Sequence, residues 1–266
     1  MHKILSVVCV LSFTSSLALA QPSAEELATR IEAAQARQLA DINSITIRTE
    51  MSTPMGDMPS STRYVKEMKD GQPVLRPVGD DDMNVAGMHD DTLTRLTRNA
   101  SNIESVRHDG RQSYRILVDD AEFLRSLDEL QMGDEMMEDD LTPKEATVWV
   151  NADDYTVQRM RFIQIGPQGG DVTVQVDFSD YRRHRGLPVA HSVNLSIDGI
   201  DQMISSEEAA MARAQMEELK AQLETMPEAQ RAMIEAQLAP QIAQFEQMMS
   251  SGGTEMAIRV VDVTVE

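Results

Sequence analysis

The sequence is almost without cysteine, since Cys9 is the only one in its 266 residues. Cys9 lies in an apolar run, 4–19, which follows Lys3 and ends at the small residue Ala20. This pattern is typical of a secretory signal peptide, and it predicts cleavage after Ala20 and a periplasmic location. The mature chain would then have neither a disulfide bond nor a thiol nucleophile, so it must fold on its core alone.

Positive charge is also scarce. Removal of 1–20 leaves 44 acidic and 23 basic residues, because Lys3 is one of the 24 basic residues, and the net charge becomes −21. A balance this negative disfavours binding to nucleic acid or to an anionic membrane surface. The remaining length, about 246 residues, is enough for one large domain or two small ones.

The sequence also lacks the common catalytic motifs. It has no G-x-S-x-G motif of a serine hydrolase, and no pair of histidines has the spacing typical of zinc ligands. Many carboxylates are present, but no motif selects a catalytic pair among them. We therefore expect a non-enzymatic protein without a cofactor. The histidines after residue 20 are scattered, at His89, His108, His184 and His191.

The most regular pattern lies in 146–197. Apolar and polar residues alternate over 172–178 and again over 192–197, which predicts strands with one buried and one solvated face. The joints between successive strands are only a few residues long. Such joints connect antiparallel neighbours, so this segment is predicted to be a meander.

A capping box opens the predicted first helix. Ser23 is its N-cap and Glu26 its third residue, and the helical spacing of apolar residues continues to about Ala40. From Ser44 the period changes to two, which predicts the first strand.

Two Asp-Gly pairs, at 70–71 and 109–110, lie between alternating segments and predict two hairpins. The predicted elements of this part are the strands 61–68, 72–78, 102–107 and 112–119 and the helices 92–100 and 121–130.

Helical spacing returns over 204–253, just before a predicted final strand, 255–265. A second capping box at Ser205 and Glu208 and a proline at Pro227 predict two helical arms that form an inserted hairpin. An arm of about 20 residues would be about 30 Å long, close to the length of a sheet strand. We expect the hairpin to cover the open mouth of the sheet as a lid, or otherwise to bind a protein partner.

Several stretches carry a family resemblance: 148–151 (VWVN) leading to Tyr155, 159–162 (RMRF), 176–181 (VDFSDY) and 186–188 (GLP). With these stretches the chain resembles the LolA/LolB-like superfamily of periplasmic lipoprotein carriers and outer membrane lipoprotein-sorting proteins. The inserted hairpin and the strongly acidic chain depart from the carriers.

The resemblance implies an α+β fold, a curved antiparallel unclosed β-barrel with an N-terminal helix and covering helices. Residues 21–203 and 254–266 would form this half-barrel, with 204–253 inserted. It implies a carrier or binding protein that holds acyl chains, a lipoprotein or another apolar ligand in a cavity of the sheet. The residues expected to line the cavity or its lid are Trp149, Met160, Phe162, Phe178, Leu219, Leu223, Leu238 and Phe245.

Methionine is unusually frequent, with 18 after residue 20. Met51, Met55 and Met58 lie close together, and thioethers select Cu(I), so a copper-binding protein is an alternative prediction. The other interpretation is that methionine provides adaptable apolar surface where a ligand varies. Trp149 is likewise open to two interpretations, as a core residue or as a ligand contact.

Overall fold

The computed structural model describes residues 21–53, 56–78, 91–131, 141–203, 211 and 252–266. The leader, 1–20, and nearly all of the predicted helical hairpin lie outside the described residues. The described strands are β1 Ser44–Thr53, β2 Gly56–Lys69, β3 Gln72–Val78, β4 Asn102–His108, β5 Arg111–Val118, β6 Thr142–Asn151, β7 Val157–Ile165, β8 Asp171–His184, β9 Leu187–Asp198 and β10 Gly253–Val265. The described helices are α1 Ala24–Gln38, α2 Thr92–Arg98, α3 Ala121–Gln131 and α4 Ile200–Met203.

All ten described strands form one antiparallel sheet in the order β3-β2-β1-β10-β9-β8-β7-β6-β5-β4. The sheet does not close, because β3 and β4 remain its edges, and the predicted α+β unclosed barrel is confirmed. The meander is also confirmed, since β6 to β9 pair in chain order. The position of β10 was not predicted: it lies between β1 and β9, with Ile258 opposite both Met51 and Val193.

The hairpin turns form where the Asp-Gly pairs predict them. Asp70 and Gly71 have φ of 52° and 83°, and Asp109 and Gly110 have φ of 47° and 78°. Positive φ at both central residues matches the right-handed twist of the flanking strands, and aspartate and glycine tolerate it well. Short local signals therefore set the register of β2 with β3 and of β4 with β5.

Strand β2 begins five residues earlier than the predicted Ser61, at Gly56. Proline at Pro59 argues against a strand with partners on both sides. Among the described residues, however, β3 pairs with β2 only from Arg63 onward, so Pro59 has β1 on one side and a free edge on the other. A proline is tolerated at such an edge.

The helices pack on one face of the sheet. Apolar residues of α1, α2 and α3 meet those of β4 to β9 in one core cluster, and a second cluster surrounds Leu39 and Ile42 after α1. We call the face that carries these clusters the inner face. No helix among the described residues is long and apolar enough to cross a membrane.

The capping box at the start of α1 is present as predicted. The Ser23 hydroxyl accepts a hydrogen bond from the Glu26 amide at 3.2 Å, and the Glu26 carboxylate accepts one from the Ser23 amide at 3.0 Å. We expect Ser23→Ala to lower the free energy of unfolding by about 1 kcal/mol, because one of the first helical amides loses its acceptor. Urea denaturation measures this change. The matched variant Ser23→Asp keeps an acceptor and should unfold as the wild type does; an equal loss in both variants would contradict the cap.

Candidate functional site

The inner face includes a group of apolar side chains that are only partly buried. They lie in two rows across neighbouring strands: Val174 of β8 pairs with Phe162 of β7 and Ile197 of β9, and Leu195 of β9 pairs with Val176 of β8 and Met256 of β10. We call this group the inner strip. Its residues are Phe162, Val174, Val176, Leu195, Ile197 and Met256.

The inner strip follows from the alternation seen in the sequence. In β8 the apolar residues face inward, and Thr173, Gln175 and Asp177 therefore lie on the outer face. Phe162 and Val176 pack against the first core cluster, so the strip is continuous with the core. The strip is thus an apolar surface on a rigid support.

The structure divides the predicted site residues. Met160 and Phe178, which are 6% and 8% exposed, belong to the first core cluster, so core packing fills the positions that were expected to line a cavity. Phe162 is the only one of the described predicted residues that lies on the inner strip. The predicted lid residues Leu219, Leu223, Leu238 and Phe245 lie outside the described residues.

A small gap separates α3 from the sheet beside Phe162. It is lined by Leu124, Leu127, Phe162 and Ile163, among others, and its volume is about 20 Å³. That volume holds about one water molecule. An acyl chain would therefore have to lie along the inner strip and not beneath α3.

Trp149 does not join the inner strip. It alternates with Val148 and Val150, which are both in the core, so its ring lies on the outer face. There the guanidinium groups of Arg159 and Arg161 lie 5.9 and 5.8 Å from the ring centre, in the range of cation–π contacts. Side chains of a strand alternate between its two faces, so the apolar Val148 and Val150 on the inner face already indicated that Trp149 lies on the outer face. Trp149 therefore does not contribute to a ligand site on the inner face.

Two of the three candidate copper ligands lie opposite one another. Met51 of β1 pairs with Met58 of β2, and Met58 is 57% exposed. Met55 lies outside the described residues. Met51 also lies beside Ile258, so this methionine pair extends the apolar inner face toward the end of β1.

A pair of histidines is the feature that sequence reasoning missed. The Nε2 atoms of His184 and His191 are 3.0 Å apart, and the rings stack with centres 5.2 Å apart. The two residues are seven positions apart, which matches no helical or loop motif. The β8–β9 hairpin brings them together. Among the described residues, no group of three or more His, Cys, Asp or Glu side chains could hold a metal ion.

The surroundings of the histidine pair shift the pKa values of His191 and of the neighbouring Asp180. Burial lowers the pKa of His191, and the neighbouring charges of Arg182 and His184 lower it further. The Arg182 guanidinium, hydrogen-bonded at 2.6 Å, holds the pKa of the Asp180 carboxyl below its usual value. His191 is therefore disposed to stay neutral and to offer a nitrogen lone pair.

A larger concave site lies between α1, α2 and the β2–β3 turn, with a volume of about 610 Å³. Its lining is strongly charged, and four of the charged residues form two ion pairs: Lys69 with Asp91 at 2.6 Å, and Arg98 with Glu32 at 2.8 Å. An apolar ligand there would remove these ion pairs from water without replacing that hydration. The inner strip suits an apolar ligand better.

The chain matches no protein-family model and no curated protein. Solved structures with a similar arrangement include a domain described as an outer membrane lipoprotein-sorting protein domain, from Vibrio parahaemolyticus, at 8% identity and a TM-score of 0.42 over 92% of this chain and 94% of that chain. A DUF1329 family protein from Desulfovibrio piger has 8% identity and a TM-score of 0.40 over the same shares. A LolA superfamily protein from Nitrosomonas europaea has 7% identity and a TM-score of 0.31 over 88% and 93%.

Proposed function

We propose that this chain is a periplasmic, non-enzymatic carrier or binding protein that holds acyl chains, a lipoprotein or another apolar ligand. The observation that supports this proposal most directly is the inner strip. Its six side chains are apolar, share one face of an unclosed sheet, adjoin a packed core and remain partly open. Contiguous apolar surface of this kind is typical of binding sites.

The dimensions and energetics of the inner strip suit a chain-like ligand. The strip spans four adjacent strands, β7 to β10. At the usual strand spacing that is about 14 Å across. Each methylene group buried there contributes about 0.8 kcal/mol, so six of them give about 5 kcal/mol before the entropy cost of association. The affinity of such a site would depend on the length of the ligand's apolar chain more than on any particular polar group of the ligand.

The segment 204–253 joins the sheet at the end where the inner strip lies. Helix α4 follows β9 and packs against β8 and β10, and the chain re-enters the sheet at Gly253. The segment 204–253 leaves and re-enters the sheet there, and we keep the sequence-based prediction that it forms a lid over the strip. Cleavage of 1–20 and export to the periplasm stay predictions from the leader sequence.

Binding of a neutral apolar fluorophore, N-phenyl-1-naphthylamine, tests the proposal. The wild-type protein should bind it saturably, and palmitate or phosphatidylglycerol should compete. We expect Val176→Asp or Leu195→Asp to raise the dissociation constant at least about tenfold, because each places an unpaired carboxylate on the surface that the ligand must cover.

The matched control is Ser196→Asp, which adds the same charge next to Leu195 but on the outer face. It should bind the fluorophore as the wild type does. Circular dichroism checks that all three variants are folded. Absence of saturable binding by the wild type, or equal weakening by Ser196→Asp, would refute the inner strip as the ligand site.

A further inference from the structure

The β8–β9 hairpin is irregular where His184 and His191 meet. Its ladder pairs Ser179 with Ser192 and Tyr181 with Ala190, but it omits the intervening pair, Asp180 and His191. Asp180 has φ of 51°, a left-handed conformation that aspartate tolerates better than most residues but that interrupts the regular geometry of a strand.

The backbone fixes the tautomer of His191. Its Nδ1 atom lies 3.2 Å from the carbonyl oxygen of Val260, just beyond the last register pair of β9 with β10, which is Ser192 with Arg259. A carbonyl oxygen can only accept, so Nδ1 carries the proton and donates it, and Nε2 keeps its lone pair. This is the arrangement by which proteins orient a histidine toward a metal ion.

The separation of the two Nε2 atoms fits two neighbouring ligands of one ion. Imidazole nitrogens bind such ions at about 2.0–2.1 Å. At the observed separation of 3.0 Å, two bonds of this length meet at an angle of about 94°. This angle is close to the 90° of square-planar or tetragonal coordination, which Cu²⁺ and Ni²⁺ favour, and smaller than the tetrahedral angle of zinc sites.

Carboxylates partly offset the positive charge of the arginines near the pair. Two nearby arginines carry carboxylate partners: Arg182 bonds Asp180 at 2.6 Å, and Arg183 bonds Asp154 at 3.3 Å. The chain as a whole has a net charge of −20, which raises the local concentration of cations. His184 is only partly buried, so an ion can reach the pair from solvent.

We propose that His184 and His191 form a two-histidine site for a divalent transition-metal ion that prefers nitrogen ligands in a tetragonal arrangement, such as Cu²⁺ or Ni²⁺. On binding, the ion displaces the proton that His184 Nε2 donates to His191 Nε2 in the metal-free protein, and that proton is released to solvent. Water or an anion completes its coordination. This site is separate from the inner strip and stands independently of the proposed function.

Calorimetric titration of the untagged full chain with Ni²⁺, and with Cu²⁺, tests the site. The wild type should bind one ion per chain, and His184→Phe should weaken binding at least about tenfold. The phenyl ring preserves the stacking against His191 but supplies no ligand, and even the loss of an outer partner of a ligand weakens metal binding about 10–100-fold. Mg²⁺, which prefers oxygen ligands, should not bind.

The control variant is His108→Phe, which removes a histidine of another hairpin and should leave the affinity unchanged. His191→Gln provides a second test of the pair if His184→Phe does not fold. The proposal is overturned if the wild type binds neither ion, or if the folded His184→Phe or His191→Gln protein binds as tightly as the wild type.

Discussion

Replacing Ile116 with alanine should lower the free energy of unfolding by about 2–5 kcal/mol. Ile116 lies in β5, is fully buried, and is opposite Ile103 and Val148, both members of the same core cluster. The substitution removes three carbon atoms from a close-packed site and leaves a cavity that strands on both sides cannot collapse to fill. Urea denaturation should show a lower midpoint with an unchanged slope.

Met68→Ala is the control for this loss. Met68 lies in β2 and is 68% exposed, so its truncation removes a similar volume from the surface. We expect a change within about 0.5 kcal/mol. If the two variants lose equal stability, Ile116 does not lie in the cluster that the structure assigns to it.

The second large effect concerns Gly199, between β9 and α4. Its φ is +82°, and a Cβ atom added there would lie 2.4 Å from the carbonyl oxygen of Asp171. Gly199→Ala should therefore lower the free energy of unfolding by about 3 kcal/mol, with about 1–2 from the left-handed backbone and the rest from the close contact.

Gly169 separates these two contributions. It has nearly the same φ, +81°, but an added Cβ would meet nothing within 4 Å. Gly169→Ala should lower the free energy of unfolding by only about 1–2 kcal/mol. Thermal or urea unfolding of both variants measures the difference. Equal destabilisation would mean that α4 does not pack at the Asp171 end of the sheet as described.

Much of the sheet could be predicted from local sequence signals. The Asp-Gly pairs set two hairpins, and the alternation over 172–178 assigned the side chains of that part of β8 to the correct faces. These features depend on neighbours within a few residues, where turn geometry and the period of a strand leave few alternatives. The same parity, applied to Trp149, places it on the outer face.

Features that depend on distant residues could not be read in this way. The position of β10 depends on pairing with β1, some 200 residues earlier, and no local pattern specifies that partner. The predicted start of β2 at Ser61 was late, and the edge position that lets the strand begin earlier and include Pro59 depends on where its pairing with β3 starts. The approach of His184 to His191 depends on an interruption of the ladder at Asp180, and the sequence gives no sign of a positive φ there.

The position of β10 also affects the order in which the protein can be completed during synthesis. Among the described strands, β1 to β3 and β4 to β9 are hydrogen-bonded to each other only through β10, which is translated after all of them. Until residues 253–265 have been made, the strand that pairs with both groups is absent, and the ten-stranded sheet cannot be completed. Late closure of this kind slows folding, because distant segments must meet first.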